Sequence, residues 1–322
     1  MQATKQERML YGDQVEILNR STVCTQYRIV NETGELMMRS YHVFPGIDLV
    51  FSDAHISYVS HQLVERQSTD CAVLEIEHCR EGRAECKVSA DSFFYIAPGD
   101  VAVHWMDDDG HDMLFPLSHY HGITIQITLE QLPKHYGDFF NVASMDPAIL
   151  IRQLRLQGRF FVSLQNVPEI EQIFSGLYTV PETICLDYYR LKVLELLLLL
   201  NLVDVESIER EQRSHSCYQV TLANQVQQYL AKHMQEHITT AQLAEQFKTS
   251  PSQIKNSFYG VYGVSVHQYI RTQKMQEAAK LLRDTNATVL EIAGRFGYEN
   301  GSKFANAFRN VFGVSPTEYR KQ

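Results

Sequence analysis

Two short stretches of the chain carry side chains suited to reading a polar, anionic surface. Between Pro251 and Tyr262, Ser252, Lys255, Asn256 and Tyr259 recur at i, i+3, i+4 and i+7, with Gln253 beside them. That spacing puts them on one face of a helix. Ser302, Lys303, Asn306 and Arg309 form a second such face fifty residues on. Neither face contains a carboxylate. A lysine can donate to guanine O6 and N7, and an asparagine can pair with adenine N6 and N7. The opposite faces, Ile254, Phe258, Val261 and Phe304, Phe308, Val311, are apolar and should be buried. One such pattern also fits an ordinary solvated helix; two acid-free copies fit a surface that meets a polyanion.

These faces sit in a chain of 322 residues, enough for about two domains. Its net charge of −9 is unevenly spread: residues 218–322 hold 12 Lys and Arg against 7 Asp and Glu, leaving 17 against 31 in residues 1–217. Only the basic C-terminal third is expected to meet nucleic acid. The polar start MQATKQERML does not read as a signal peptide, so none is expected. Residues 184–203 carry Asp187, Arg190, Lys192 and Glu195 and are too interrupted for a membrane span. Cysteines 24, 71, 79, 86, 185 and 217 show no CxxC pair or zinc spacing, so they read as reduced, mostly buried thiols. No nucleophile motif or phosphate loop is present, so no catalytic residue and no cofactor is expected.

The first part of the chain reads as β-rich. Ile123 to Leu129 alternates strictly and predicts a half-buried strand. Leu74–Glu77, the charged turn Arg80–Arg83 and Ala84–Ser89 predict a hairpin. Phe93–Ala97 and Val101–Trp105, around the turn Pro98-Gly99-Asp100, predict another. Such short strands suggest a small barrel or sandwich. Helices follow over 169–178 and 187–203. In the second, Leu191, Leu194 and Leu198 lie on a helix that is apolar nearly all round, so a dimer interface is expected there. The polar stretch 206–217 reads as the linker between a first domain, 1–205, and a second, 218–322.

The second domain contains an internal repeat. Thr239, Gln242, Ala244 and Phe247 match Thr288, Glu291, Ala293 and Phe296 at an offset of 49. Phe258, Gly263, Val264, Ser265 and Tyr269 match Phe308, Gly313, Val314, Ser315 and Tyr319 at an offset of 50. Thr239-x-x-Gln242 and Thr288-x-x-Glu291 are capping boxes. Ser250-Pro251 and Asn300 should open the second helix of each copy, and Gly263 and Gly313 should close it. The result is an all-α pair of helix-turn-helix units, 239–262 and 288–312. The unbroken stretch 265–284 between them would be ~30 Å long as a helix, close to the ~34 Å turn of B-DNA.

Residues 218–322 resemble the DNA-binding domain of the AraC/XylS family. The resemblance is carried by Ile292-Ala-x-x-Phe-Gly-Tyr298, Phe304, Phe308 and Phe312-Gly-Val-Ser-Pro-Thr-Glu-Tyr-Arg320. The sequence departs from the family pattern at Gly301-Ser302-Lys303, Asn310, Pro251 and Asn256. The resemblance implies a transcription regulator in which residues 252, 253, 255, 256, 302, 303 and 306 face base edges of double-stranded DNA. Less closely, Glu75–Gly82, Ala97-Pro-Gly-Asp100 and Asp187–Leu198 resemble the family's cupin-like sensor barrel and dimer helix. That implies a cytoplasmic homodimer, with a small-molecule effector in the barrel and RNA polymerase as a further partner. The candidate effector-binding residues are Tyr58, His78, Tyr95, His104 and Trp105. A second reading is a metal-dependent cupin enzyme fused to the DNA-binding domain, because Pro98-Gly99 with His104, and His119-Tyr-His121, partly match metal-cupin motifs. Glu75, Glu77 and His78 precede that turn without an HxH pair, so polar lining and no metal is expected. A third reading is an architectural DNA-binding protein without a ligand.

Overall fold

The computed structural model describes residues 2–60, 73–89, 91–106, 113–132, 161–164, 167–181, 184–202, 215–234, 236 and 238–321. The chain divides into two compact units, 1–214 and 215–322. Of the expected linker, residues 206–214 lie outside the described residues, as does Cys71. Its last three residues belong to the second unit: Ser216 caps a helix that starts at Cys217, its side chain accepting from the Gln219 amide.

The first unit opens with helix α1 (Lys5–Tyr11), started by a Thr4/Glu7 capping box. Strands β1 (Glu16–Arg20), β2 (Cys24–Asn31), β3 (Gly34–Phe44) and β4 (Ile47–His55) then run as a meander. After β5 (Tyr58–Val59) come β6 (Val73–Gly82), β7 (Ala84–Ser89), β8 (Ser92–Ile96), β9 (Val101–Trp105), β10 (Met113–Leu114), β11 (Tyr120–Thr128) and β12 (Phe161–Leu164). The large sheet is antiparallel, ordered β1-β2-β3-β4-β11-β6-β9-β12.

Neither expected hairpin forms. β6 pairs with β9 and β11, while β7 pairs with β8 in a separate sheet. The reason lies at the corner between β6 and β7. Gly82 has φ +80°, and a Cβ there would lie 1.9 Å from the His119 carbonyl oxygen. The chain slips past β11 at this glycine and leaves the sheet instead of reversing within it. The Pro98-Gly99-Asp100 turn returns it: Gly99 N–H donates to the Cys79 carbonyl (2.9 Å), and the Asp100 carboxylate accepts from Ala97 N–H (2.9 Å).

The large sheet is covered on both faces. On one, Leu74, Ile76, Val101, Val103, Ile123, Ile125 and Ile127 pack under helices α2 (Pro168–Leu177) and α3 (Cys185–Leu202). On the other, Ile29, Leu36, Val50, Cys79 and Ala102 meet α1 and the β7–β8 pair. The strand at 120–128 is therefore not half-buried. Its polar residues are also inside: Gln126 and Thr128 are buried, within a domain.

Helix α3 corrects the dimer assignment at one residue. Leu194 is 7% exposed and packs with Val193, Leu196, Leu197 and Leu200 into the core, while Leu191 and Leu198 are 60% and 42% exposed. A helix lying on a sheet buries a broad arc, and Leu194 falls at its edge. No helix among the described residues is long and apolar enough to cross a membrane. Cys79 and Cys86 are buried, but Cys217 is exposed on the first turn of its helix, unlike the buried thiol expected.

The second unit contains α4 (Cys217–Lys232), α5 (Thr240–Gln246), α6 (Pro251–Tyr262), α7 (Val266–Asp284), α8 (Val289–Arg295), α9 (Gly301–Phe312) and α10 (Pro316–Tyr319). The repeat in sequence is a repeat in packing. Phe258 lies edge-on to Tyr269 at 5.3 Å and 77°; Phe308 lies edge-on to Tyr319 at 5.4 Å and 74°. The spacer α7 has 19 residues, about 28 Å of helix. Its Lys274 ammonium donates to the carbonyl of Phe296, the residue ending α8 (3.2 Å).

Candidate nucleic-acid interface

Local chemistry fixes each helix of the two units. Thr239 and Gln242 exchange hydrogen bonds at the start of α5 (2.8 and 3.3 Å), as Thr288 and Glu291 do at α8 (2.7 and 3.2 Å). Ser250 and Asn300 cap α6 and α9, accepting from the Gln253 and Ser302 amides. Gly263 and Gly313 end those helices with φ of 69° and 75°. Left-handed φ costs a residue with a Cβ roughly 1–2 kcal/mol, so glycine suits both caps.

With the helices so placed, Ile254, Phe258, Phe304 and Phe308 are fully buried, Val261 is buried, and Val311 is half-buried. Ser252, Lys255, Asn256, Ser302, Lys303, Asn306 and Arg309 are exposed, and Tyr259 is 61% exposed. Gln253 is half-buried, its amide 3.5 Å from the Ser257 hydroxyl, so it lies along the helix more than away from it. Each of α6 and α9 thus offers hydroxyl, amide and cationic donors on a face free of carboxylates. Such a face can contact phosphates and base edges of a duplex.

The turn before α6, but not the one before α9, adds a cation that the sequence reading overlooked. Lys248 has φ 52°, and its counterpart in the second copy is Gly297, with φ 79°. The offset of 49 that aligns Phe247 with Phe296 aligns these two, and that alignment was the available signal.

The profile of a family described as a helix-turn-helix domain matches residues 243–322. Residues 243–322 are a helix-turn-helix domain of the AraC type. An uncharacterized HTH-type transcriptional regulator, YdiP of Escherichia coli, is 38% identical over 94 residues, 29% of this chain and 31% of its own. The multiple antibiotic resistance protein MarA of Escherichia coli is 29% identical over 92 residues, 29% of this chain and 72% of its own. Among solved structures, the C-terminal domain of AraT, a response regulator from Geobacillus stearothermophilus, is 33% identical. That match covers 31% of this chain and 84% of the domain, with a TM-score of 0.30. The chain spans about a third of the length of the first two curated relatives it matches, 31% and 38%.

In the first unit the candidate effector residues do not share a face. Val59, Cys79, Phe94 and Ile96 belong to the interior cluster, so their neighbours Tyr58, His78 and Tyr95 point the other way. Tyr58 donates to Glu32, and Tyr95 donates to Glu85. His78 stacks on Phe174 of α2 at 4.4 Å, with its Nε2 3.0 Å from Glu171. Trp105 packs on the helix side. His104 alone of the five enters the interior, its Nε2 3.5 Å from Glu77 and 3.8 Å from Glu75. Strand register, which the sequence left open, separates them. The interior is instead lined by Glu75, Glu77, Gln126, Tyr11, Tyr120 and Cys86. Gln126 donates to Glu75 (2.9 Å) and accepts from Tyr11 (2.8 Å); Tyr120 donates to Glu77 (2.7 Å). Burial pushes the Tyr120 hydroxyl and the Cys86 thiol far up, so both are protonated at neutral pH. Glu77, Cys86 and His104 bring one donor atom each to within 4.8 Å of one another.

Proposed function

We propose that this protein is a transcription regulator of the AraC/XylS type. Its helices α6 and α9 enter two successive major grooves of a duplex on either side of the α7 spacer. The observation that carries this reading is the pair of exposed, carboxylate-free helix faces in a helix-turn-helix domain of AraC type. Ser252, Lys255, Asn256, Ser302, Lys303 and Asn306 face base edges; Tyr259, Arg309 and Gln253 lie alongside. The chain is not an enzyme in this reading, and it acts in the cytoplasm, where its DNA is.

The first unit is the sensor: a cupin-like, antiparallel β-domain of residues 1–205 whose polar interior takes a small effector. A second copy of the chain pairs across the exposed Leu191 and Leu198 of α3, and RNA polymerase is the further protein partner. An effector shifts DNA affinity only by as much as it prefers one arrangement of the sensor, so a typical coupling of about 1–3 kcal/mol gives a ~5–150-fold change.

The DNA reading is tested by titrating duplex with the full chain at two salt concentrations. A protein that neutralises about six to ten phosphates loses roughly 10³–10⁵ in affinity between 50 and 200 mM salt. A complex insensitive to salt, or no complex at low salt, would overturn it.

A further inference from the structure

We propose that Glu77, Cys86 and His104 form a binding site for a divalent transition metal of the zinc class inside the first unit. The three residues come from β6, β7 and β9, which converge from two sheets. Their donor atoms lie within 4.8 Å of one another. Zinc bonds of about 2.0–2.3 Å in tetrahedral geometry set neighbouring donors about 3.3–3.8 Å apart. Glu77 Oε2 and His104 Nε2 are already 3.5 Å apart.

The surroundings are built as a metal centre needs them. The hydroxyl of Tyr120 holds one oxygen of Glu77 (2.7 Å) and leaves the other facing His104. Gln126, itself held by Tyr11, grips one oxygen of Glu75 and leaves the other 3.8 Å from the same imidazole nitrogen. Glu75 is therefore placed to become the fourth ligand. Such outer partners fix ligand orientation and affinity. Both glutamate side chains are sunk in the interior, 13% and 14% exposed, beside His104. A divalent ion bound by Glu77, neutral His104 and the Cys86 thiolate makes a neutral set, and one with a single negative charge once Glu75 joins it; the Cys86 thiol proton and any proton on His104 leave to solvent. The thiolate selects against magnesium and calcium. The spacing gave no hint of this set, because the ligands stand 9 and 18 residues apart and meet only through the β6–β9 and β7–β8 pairings.

The inference does not depend on the DNA reading, and its test does not involve DNA. The full chain, stripped with chelator, is titrated with Co²⁺ and then Zn²⁺. One equivalent of Co²⁺ should bind with a near-ultraviolet thiolate-to-cobalt charge-transfer band, and Zn²⁺ should displace it. Cys86→Ser should abolish the band. Glu77→Gln and His104→Gln should each weaken binding by roughly a hundredfold, about a quarter of a four-ligand site's binding free energy. Cys217→Ser, at an exposed thiol, should leave the band intact. Absence of stoichiometric Co²⁺ uptake, or a band that survives in Cys86→Ser, overturns the proposal. If Cys86→Ser does not fold, unchanged Co²⁺ affinity in folded Glu77→Gln or His104→Gln overturns it equally.

Discussion

Replacing Asn256 or Asn306 with alanine separates base reading from phosphate binding. Both asparagines are exposed, and neither makes a hydrogen bond to the described residues. Truncation therefore removes no hydrogen bond from the described fold. Alanine is the better helix former by several tenths of a kcal/mol, so thermal stability should hold or rise slightly. A bidentate asparagine–adenine pair is worth about 1–3 kcal/mol of discrimination, which converts to ~5–150-fold in dissociation constant. The side chain is neutral, so affinity for scrambled duplex and the salt slope should not move. The assay is fluorescence anisotropy with a duplex selected from a random pool, beside a scrambled duplex of equal length. Asn256→Ala should relax one position of the selected site, and Asn306→Ala a position about one helical turn away. Lys255→Ala is the contrast: any phosphate contact it makes would lower both affinities and flatten the salt slope by about 0.9. Equal losses on selected and scrambled duplex for both asparagine variants would refute the assignment of these faces to bases.

Three further outcomes are expected. Leu191→Glu with Leu198→Glu should give folded monomers by sedimentation, whereas Leu194→Ala should cost roughly 2–5 kcal/mol in denaturant unfolding because it empties core volume; an unchanged dimer in the double variant refutes the interface. Gly297→Ala should destabilise the second unit by about 1–2 kcal/mol, since φ 79° is left-handed, while Lys248→Gly should be neutral or mildly stabilising; the reverse order in Tm would contradict the backbone argument. Burial alone would raise the Glu7 carboxyl, but hydrogen bonds from Arg20, the Thr4 amide and Tyr27 prevail and lower it from 4.5 to about 2. Its contribution is full above pH 4.5 and is lost as pH falls toward about 2. Wild type should therefore lose stability relative to Glu7→Gln across that window, and a gap independent of pH would show that the Glu7 contacts are not ionic.

The second unit was legible because its signals are local. Capping boxes, a proline at the first helical position and left-handed glycine caps act within four residues, and each stands where the sequence places it. The first unit was legible in period but not in sign. Leu74-Glu-Ile-Glu77 and Ile123–Thr128 alternate as half-buried strands do, yet the polar side faces an interior and the apolar side faces helices. Alternation cannot tell a solvated face from a buried polar one. Strand pairing was illegible for a related reason: Gly82 takes the chain out of one sheet and into another, and only the approach of the distant His119 carbonyl shows why. The misplacement of Tyr58, His78, Tyr95 and Trp105 follows from that lost register. Leu194 was misassigned because a helix apolar all round does not announce which arc is inside.

Glu77 and His78 are consecutive residues on opposite faces of β6, one turned toward the interior and the other lodged against Phe174 and Glu171 of α2. The interior core and the helix layer are thus separated by a single strand. β6 is hydrogen-bonded to β11 on one side and to β9 on the other, so its backbone is held in place between them. A substitution at Glu77 that shifted that backbone would carry His78, and its contacts with Phe174 and Glu171 of α2, along with it.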